Sequence, residues 1–192
     1  MVNKFVLQSD EELMLHLRNG EVSAFDELYT RYNKRLMGYF VRMLRFDREK
    51  AKDALQELFL KVIEHPELFD GTKIFRTWIF SVAYNACKNQ YRKQEIIKDA
   101  HEELKYTEPF SEETFFSLAG NIDSTTFRNS LNEVLSDLPA EKAHTFVLRY
   151  QEEHSLKEIA EIMNCSEGTV KSRLFYTQKI LSEKLKVFNP VN

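Results

Sequence analysis

The residue types that carry most enzyme chemistry are spread thinly along this chain of 192 residues. Its histidines and cysteines are His16, His65, His101, His144, His154, Cys87 and Cys165. None of them lies at a spacing from a nucleophile, a paired carboxylate or a second ligand that would indicate catalysis or metal binding. Both cysteines lack a CxxC partner and are interpreted as reduced structural thiols. We therefore expect a protein that is not an enzyme and that holds neither a metal nor another cofactor.

A denser set of interacting groups surrounds Trp78, in a segment with helical periodicity. We expect Trp78, Ile79, Val82 and Ala83 to face the core of a domain. The opposite, outward side interleaves bases, hydrogen-bonding groups and aromatics, namely Arg76, Thr77, Phe80, Ser81, Tyr84, Asn85, Lys88, Tyr91, Arg92 and Lys93. Unpaired bases can stack on such aromatics while cations hold the phosphates, so the pattern is compatible with opened DNA. It is equally compatible with a solvated helix that carries single exposed aromatics.

The helix predicted over residues 51–63 has a largely polar side beside its apolar stripe. That side consists of Asp53, Gln56, Glu57 and Leu60. Residues three and four positions apart share one face of a helix, so these four side chains can act together. Such a face could bind a partner protein, whereas a solvated surface is the more common role of a charged helix face.

Two short helices near the C-terminus have the spacing of a helix-turn-helix. Ser155 and Glu158 form a capping-box pattern for the first helix, and Ser166 can cap the second after a tight turn. The outward side of the second helix carries hydroxyl, basic and aromatic groups, namely Thr169, Lys171, Ser172, Arg173, Phe175, Tyr176 and Lys179. A helix that begins with small and basic residues can enter the major groove of duplex DNA.

The elements that must position these groups are helices throughout. The chain has only five glycines and four prolines, which argues against a turn-rich β fold. Apolar residues recur at three- and four-residue steps over residues 25–43 and 51–63, and Ser9 and Glu12 have capping-box spacing. The sequence predicts an all-α protein with two small helical domains joined by an acidic linker, the second a helix-turn-helix domain.

Charge divides the chain into three parts, although its formal net charge is only −3. Residues 1–94 hold sixteen Lys and Arg against thirteen Asp and Glu, residues 95–125 hold two against eight, and residues 126–192 hold nine against nine. We assign residues 1–94 to the first domain, 95–127 to the acidic linker and 128–192 to the second domain. The linker includes Phe110, Phe115, Phe116 and Leu118. These apolar residues are compatible both with docking on a domain or partner and with disorder.

Neither export nor membrane insertion is indicated by the sequence. The first apolar stretch ends at Leu7, before three acidic residues, and is too short for a signal peptide. The longest apolar stretches fall far short of the ~20 residues that a membrane helix needs. We expect a soluble, cytoplasmic protein.

Three segments together resemble extracytoplasmic-function (ECF) sigma factors of the sigma-70 superfamily. Residues 158–163 (EIAEIM) and 166–174 (SEGTVKSRL) are similar to the family's promoter-reading segment. Residues 53–59 (DALQELF) resemble its polymerase-binding helix, and residues 75–92 resemble its promoter-melting helix. The resemblance extends over roughly residues 9–94 and 128–186, in the family's order and spacing, which a shared helix-turn-helix alone would not produce.

The resemblance implies a function in transcription initiation. The Asp53, Gln56, Glu57 and Leu60 face would bind the clamp of core RNA polymerase. The promoter-melting helix would capture unstacked bases of the minus-ten element, with a flipped base held by the loop over residues 65–76. The second domain would read the minus-thirty-five element as duplex, and the linker would follow the path of nascent RNA. An anti-sigma factor would be a further partner.

One single position and one three-residue segment depart from the family's usual pattern. Asn89 stands where the family usually has an acid, and residues 175–177 (FYT) replace a usual His-Arg-Ala run. The second change removes cationic groups from the predicted recognition helix, so it bears on which promoters are read. The main alternative function is a free-standing helix-turn-helix regulator that binds its operator without polymerase. A helical enzyme is less favoured, because no cluster of titratable residues supports it.

Overall fold

The computed structural model describes residues 4–100 and 124–188. Within these ranges the chain forms α1 (Asp10–Arg18), α2 (Ser23–Met43), α3 (Arg48–Glu64), α4 (Phe75–Ala100), α5 (Ser124–Asp137), α6 (Ala140–Tyr150), α7 (Leu156–Ile162) and α8 (Glu167–Lys184). Single 3-10 turns lie at Pro66–Leu68 and Lys186–Phe188. No strand occurs in the described ranges, which confirms the all-α prediction. No helix in the described part has the length and apolar content needed to cross a membrane.

The predicted helix starts are formed by local side-chain caps. Ser9 and Ser155 each accept a hydrogen bond from the backbone of the residue three positions on, at 3.2 Å, and Glu12 and Glu158 complete the two capping boxes. Ser166 accepts from the backbone of Thr169 at 3.1 Å. Each cap satisfies a backbone donor that has no partner inside its helix, a contribution of about 1 kcal/mol. These helices therefore begin where short-range chemistry dictates.

The first domain packs α1 to α4 around large buried side chains. Tyr39 and Phe40 of α2, Phe75 and Ile79 of α4 and Phe69 of the preceding loop are almost fully buried. Phe69 and Phe75 contact edge to face, with ring centroids 5.4 Å apart. Burying each such ring contributes about 1.5–3 kcal/mol. This core fixes the start of α4 against α2.

The second domain is built on α5 to α8. Val147 and Leu148 of α6, Ile159 of α7 and Val170 of α8 are buried between the helices. The turn from α7 to α8 passes through Asn164, whose φ of 49° is left-handed, a conformation that Asn tolerates better than most residues. The short α7, this turn and the longer α8 have helix-turn-helix order, as the sequence predicts.

The two domains pack against each other, and their buried apolar residues form a continuous cluster. The principal contact is between α4 and α7, with α2 also touching α5 and α6. Helices extend into both ends of the segment that the sequence assigns to the linker. The helix α4 continues to Ala100, and α5 begins at Ser124. Phe110, Phe115, Phe116 and Leu118 lie outside the described residues.

Candidate functional site

The α3 surface predicted to bind a partner is open to solvent. Asp53, Gln56, Glu57 and Leu60 are all exposed, and their positions place them on one side of the helix. Asp47 caps α3 by accepting a hydrogen bond from the Lys50 backbone at 3.0 Å, which sets the start of the helix. We call these four residues the α3 face. Its two carboxylates, one amide and one leucine could form ion pairs, hydrogen bonds and an apolar contact with a single partner.

An apolar groove between α2 and α3 adjoins the α3 face. It is lined by Phe25, Tyr29, Lys52, Leu55, Gln56, Phe59, Leu60 and Ile63. Tyr29 packs on Phe59 in a tilted arrangement, with ring centroids 4.8 Å apart, and remains 44% exposed. Gln56 and Leu60 belong both to the groove and to the α3 face. The combined surface therefore offers an apolar centre with a polar border, which is typical of protein-binding sites.

The outward side of α4 divides into two parts. Asn85, Lys88 and Arg92 in its second half are exposed, as the sequence predicts. In its first half Arg76 is half-buried, and three further members of the predicted DNA-facing set are buried: Thr77, Phe80 and Tyr84. The prediction that these three side chains face solvent is wrong. Phe80 packs on Tyr39 of its own domain and on His154 of the second domain, and the second domain also covers Thr77 and Tyr84.

The covered part of α4 makes aromatic and polar contacts with the second domain. We call it the masked face, and it consists of Arg76, Thr77, Phe80 and Tyr84. The Phe80 ring lies edge-on to His154, with centroids 4.9 Å apart. The Tyr84 ring lies edge-on to His144 at 5.0 Å. The Thr77 hydroxyl donates a hydrogen bond to a carboxylate oxygen of Glu158 at 3.4 Å. Each of the three contacts joins the two domains.

A buried histidine connects three helices at the centre of the interface. The Tyr91 hydroxyl donates to the carbonyl oxygen of Met43 and lies 3.3 Å from Nε2 of His144. Nε2 therefore carries the proton and donates to Tyr91, whereas Nδ1 accepts from the Tyr39 hydroxyl at 2.7 Å. Burial, with a smaller contribution from Arg173, lowers the pKa of His144 to about 3. The imidazole is therefore neutral at physiological pH, as this hydrogen-bond pattern requires.

Two arginines of the first domain hold one glutamate of the second. Nε of Arg35 donates to the Glu152 carboxylate at 3.0 Å, and its terminal nitrogen donates to the Glu152 carbonyl at 3.1 Å. Arg76 also donates to that carbonyl oxygen. Burial raises the pKa of Glu152, and Arg35 partly opposes this effect. We call Arg35, Arg76 and Glu152 the interdomain latch.

The predicted DNA-facing side of α8 is largely accessible. Lys171, Ser172, Phe175, Tyr176 and Lys179 are exposed, and Phe175 and Tyr176 contact each other with ring centroids 5.4 Å apart. Thr169 is half-buried in the cap formed with Ser166. Arg173 is also half-buried and donates to Sγ of Cys165 at 3.8 Å. Its positive charge contributes to the lowered pKa of His144.

The residues that hold the domains together include several that the sequence analysis did not select. Across the interface, His144, His154, Arg35 and Glu152 are separated from their contacts by 53 residues or more, up to 117 for the Arg35 to Glu152 pair. No local pattern brings such distant positions together. Among the described residues no group of three or more histidine, cysteine or carboxylate side chains is arranged to hold a metal ion.

Two sequence families match the chain, in the order of its two domains. Sigma-70 region 2 matches residues 28–96, which include α3 and most of α4. Sigma-70 region 4 matches residues 128–175, which include the helix-turn-helix.

Known proteins match over nearly the whole chain. The ECF RNA polymerase sigma-E factor of Haemophilus influenzae is 28% identical over 184 residues, which cover 93% of this chain and 96% of the relative. Among solved structures, the sigma factor RpoE of Bartonella quintana, in complex with the anti-sigma factor NepR, has a TM-score of 0.67 at 22% identity and covers 86% of this chain and 98% of its own. CnrH, in complex with the cytosolic domain of CnrY, has a TM-score of 0.68 at 19% identity, with coverages of 94% and 99%.

The two family matches and the near-complete coverage agree with the order and spacing of the motifs and with the two-domain helical fold. Members of this family act in transcription initiation with RNA polymerase and are not enzymes. The chain belongs to the sigma-70 family and is an alternative sigma factor of the ECF subfamily.

Proposed function

We propose that the chain binds the clamp of core RNA polymerase through the α3 face. The observation that carries this proposal is the exposure of Asp53, Gln56, Glu57 and Leu60 on one helix beside an apolar groove. Desolvated apolar contacts would supply affinity at the groove, and the carboxylates and amide would select a basic partner surface and fix its register.

In the same proposal, α4 captures unstacked bases of the minus-ten element. Asn85, Lys88 and Arg92 are available to single-stranded DNA in the present structure. The masked face, with Arg76, Thr77, Phe80 and Tyr84, would take part after the second domain moves away. Stacking of a base on an aromatic ring is worth about 1–3 kcal/mol, and the lysine and arginine would hold the phosphates.

The helix α8 reads the minus-thirty-five element as duplex in this proposal. Its exposed Lys171, Ser172, Phe175, Tyr176 and Lys179 lie along the central part of α8, and Thr169 lies at the helix start that would enter a major groove. Arg173 is assigned to base or groove contact and Lys171 to phosphate. Because residues 175–177 carry no cation, we expect the second domain to bind duplex weakly unless polymerase tethers it at the promoter.

An anti-sigma factor is a further proposed partner. Two structurally similar proteins were solved with partners: the sigma factor RpoE with the anti-sigma factor NepR, and CnrH with the cytosolic domain of CnrY.

We also infer a cytoplasmic location for the chain, because bacterial RNA polymerase acts in the cytoplasm.

Competition for purified core polymerase tests the central part of the proposal. The Gln56→Ala, Glu57→Ala double variant should compete about tenfold or more weakly than wild type, since interface hot spots contribute about 2 kcal/mol or more. A Glu161→Ala, Glu183→Ala variant is the control, because it removes two exposed carboxylates from helices of the second domain. Circular dichroism should be the same for all three proteins.

Equal competition by the double variant and wild type would show that the α3 face does not bind polymerase. A gel shift on duplex promoter DNA separates the main alternative. A free-standing regulator would shift the duplex without polymerase, whereas we expect a stable shift only with core polymerase present.

A further inference from the structure

The start of α4 is capped by a side chain from another helix. The residue before α4 is Ile74, whose side chain has no hydrogen-bond acceptor, unlike the residues that precede α1, α3, α7 and α8. The first amide of α4, that of Phe75, donates to a carboxylate oxygen of Glu11 at 2.9 Å. Glu11 belongs to α1 and lies 64 residues earlier in the chain. It satisfies a backbone donor that has no partner inside α4.

The first turn of α1, which carries Glu11, is itself held by α2. Asp10 accepts a hydrogen bond from Nη1 of Arg31 at 2.7 Å and another from the Tyr32 hydroxyl. The Tyr32 ring also lies edge-on to Phe75, with ring centroids 5.4 Å apart. Tyr32 therefore contacts both α1 and the first residue of α4. Glu11 is half-buried and follows Asp10 directly, so its carboxylate is supported from the side of α2.

The loop that precedes α4 is the one to which the family resemblance gives a flipped minus-ten base. Its tip, residues 70–74, is exposed and lies between two buried rings, Phe69 and Phe75. The Phe69 ring packs on Phe75 and on Trp78, with centroids 5.4 and 5.3 Å away. The core thus holds the tip at its first end, and the Glu11 contact with the Phe75 amide holds it at its second end.

We propose that Glu11 is a positioning residue for minus-ten recognition: its carboxylate fixes the start of α4 and, with it, the loop that holds the flipped base. A pocket selects one base only when its walls are fixed, because a loop that can rearrange accommodates wrong bases as well as the right one. The helix α1, which belongs to none of the binding surfaces described above, thereby acts on the same step as α4. The proposal rests on the minus-ten function proposed above for α4 and its loop.

Three substitutions separate this role from a contribution to the stability of α1. Glu11→Ala removes the acceptor for the Phe75 amide. Glu11→Gln keeps a side chain of the same length with one acceptor oxygen, so it should restore the contact. Glu12→Ala is the matched control, because Glu12 lies in the same turn but its carboxylate accepts from the Ser9 backbone and caps its own helix.

The loop and the promoter are measured separately. Trp78 is the only tryptophan of the chain and packs on Phe69, so its fluorescence reports on the packing of the loop. Hydrogen exchange over residues 65–76 gives a second measure, and circular dichroism verifies the helix content. Each holoenzyme is then incubated with a duplex promoter selected from random DNA by wild-type holoenzyme, and with single-base variants of its minus-ten element. Permanganate reactivity of unpaired thymines measures promoter opening.

We expect Glu11→Ala to change the Trp78 emission, to accelerate hydrogen exchange in the loop and to keep its helix content. Its discrimination between the preferred base and the other three should fall about tenfold at one minus-ten position, because a hydrogen bond to a charged group is lost. Glu11→Gln should be close to wild type, and Glu12→Ala should equal wild type in both measurements. Wild-type discrimination by Glu11→Ala, or equal losses in Glu11→Ala and Glu12→Ala, would overturn the role of Glu11.

An Asn85→Ala, Lys88→Ala variant tests the minus-ten function independently, since both side chains are exposed on α4. If this variant opens the promoter as wild type does, the minus-ten function of α4 is wrong, and the Trp78 emission of Glu11→Ala still decides whether Glu11 orders the loop. If it is impaired while Glu11→Ala opens and discriminates normally, only the role of Glu11 is wrong. Should Glu11→Ala lose helix content, Glu11→Asp repeats the test, because it keeps the charge on a side chain that is shorter by one methylene.

Discussion

The α3 face and the masked face of α4 are the two candidate binding surfaces of the first domain, and they differ in what covers them. Both combine polar groups with large apolar side chains on one side of a helix. Asp53, Gln56, Glu57 and Leu60 meet solvent, whereas Phe80 and Tyr84 meet histidines of the second domain. Similar patterns therefore have different structural roles, and the difference arises from residues distant in sequence.

Replacement of one apolar side chain on each surface should give the largest difference in the free energy of unfolding. Phe80→Ala removes a ring buried against Tyr39 and His154, so it should lower the free energy of unfolding by about 3–5 kcal/mol. Leu60→Ala, on the exposed α3 face, should change it by less than about 0.5 kcal/mol. Urea unfolding followed by circular dichroism measures both values. Similar small losses in the two variants would mean that Phe80 is not covered.

Acid should weaken the closed arrangement through its two histidines. Burial lowers the pKa of His144 to about 3 and that of His154 to about 4, from an ordinary value of 6.5. Their neighbours from every side are Tyr39, Tyr84, Tyr91 and Arg173 for His144, and Phe80, Arg35, Arg76 and Glu158 for His154. The unfolded chain takes up protons below pH 6.5 that the folded chain does not bind, so stability is lost as pH falls below that value.

The expected loss approaches about 1.4 kcal/mol per pH unit for each histidine well below its ordinary pKa. Urea unfolding at pH 7.5, 6.5 and 5.5 would measure it. Glu152 acts in the opposite direction, because its raised pKa favours proton uptake by the folded chain. The comparison must therefore be with His144→Gln and His154→Gln variants, which should have a flatter profile. If the free energy of unfolding depends on pH with the same slope in these variants as in wild type, His144 and His154 are not buried in the neutral form.

Loss of a single hydroxyl at the interface should have a smaller effect. Tyr39→Phe removes the donor to Nδ1 of His144 and leaves this buried nitrogen unpaired, at a cost of about 1–3 kcal/mol. Tyr176→Phe on the exposed side of α8 is the control and should cost almost nothing. Thermal unfolding at pH 7.5 would compare them. Equal stability of the two variants would show that Nδ1 of His144 does not accept a hydrogen bond from the Tyr39 hydroxyl.

Sequence reasoning succeeded where structure is local. The caps of Ser9, Ser155 and Ser166 each involve a backbone group three residues away, so the starts of α1, α7 and α8 could be predicted. The α3 face was also identified correctly as exposed, because its neighbours in space are its neighbours along the helix.

The masked face could not be predicted in this way. Phe80 packs edge to face on Tyr39 of its own domain and on His154 of the second domain, whereas Tyr84 is covered by His144 of the second domain. His144 and His154 had no recognisable role because their partners lie far away in the sequence. The first residues of α5 were also not anticipated, because residues 124–127 were assigned to the acidic linker.

The salt dependence of DNA binding should distinguish the roles of two residues of α8, Lys171 and Arg173. This is the smallest of the expected effects. Lys171 is exposed and assigned to phosphate, so Lys171→Ala holoenzyme should bind all minus-thirty-five variants more weakly and have a salt slope lower by about one unit. Arg173→Ala should instead lose about 1–3 kcal/mol at one base position. Binding across single-base variants at several salt concentrations measures both. If Lys171→Ala alters base preference and Arg173→Ala changes only the salt slope, the two assignments are reversed.

Hydroxyl-radical labelling of aromatic side chains, read by mass spectrometry, tests the central comparison most directly. In the free wild-type chain, Phe80 and Tyr84 should be labelled far less than Phe175 and Tyr176, which are 63% and 54% exposed. In a Glu152→Lys variant, in which repulsion replaces the ion pair of the interdomain latch, labelling of Phe80 and Tyr84 should rise while that of Phe175 and Tyr176 is unchanged. Labelling of Tyr84 as strong as that of Tyr176 in the free wild-type chain would contradict the closed arrangement of the two domains.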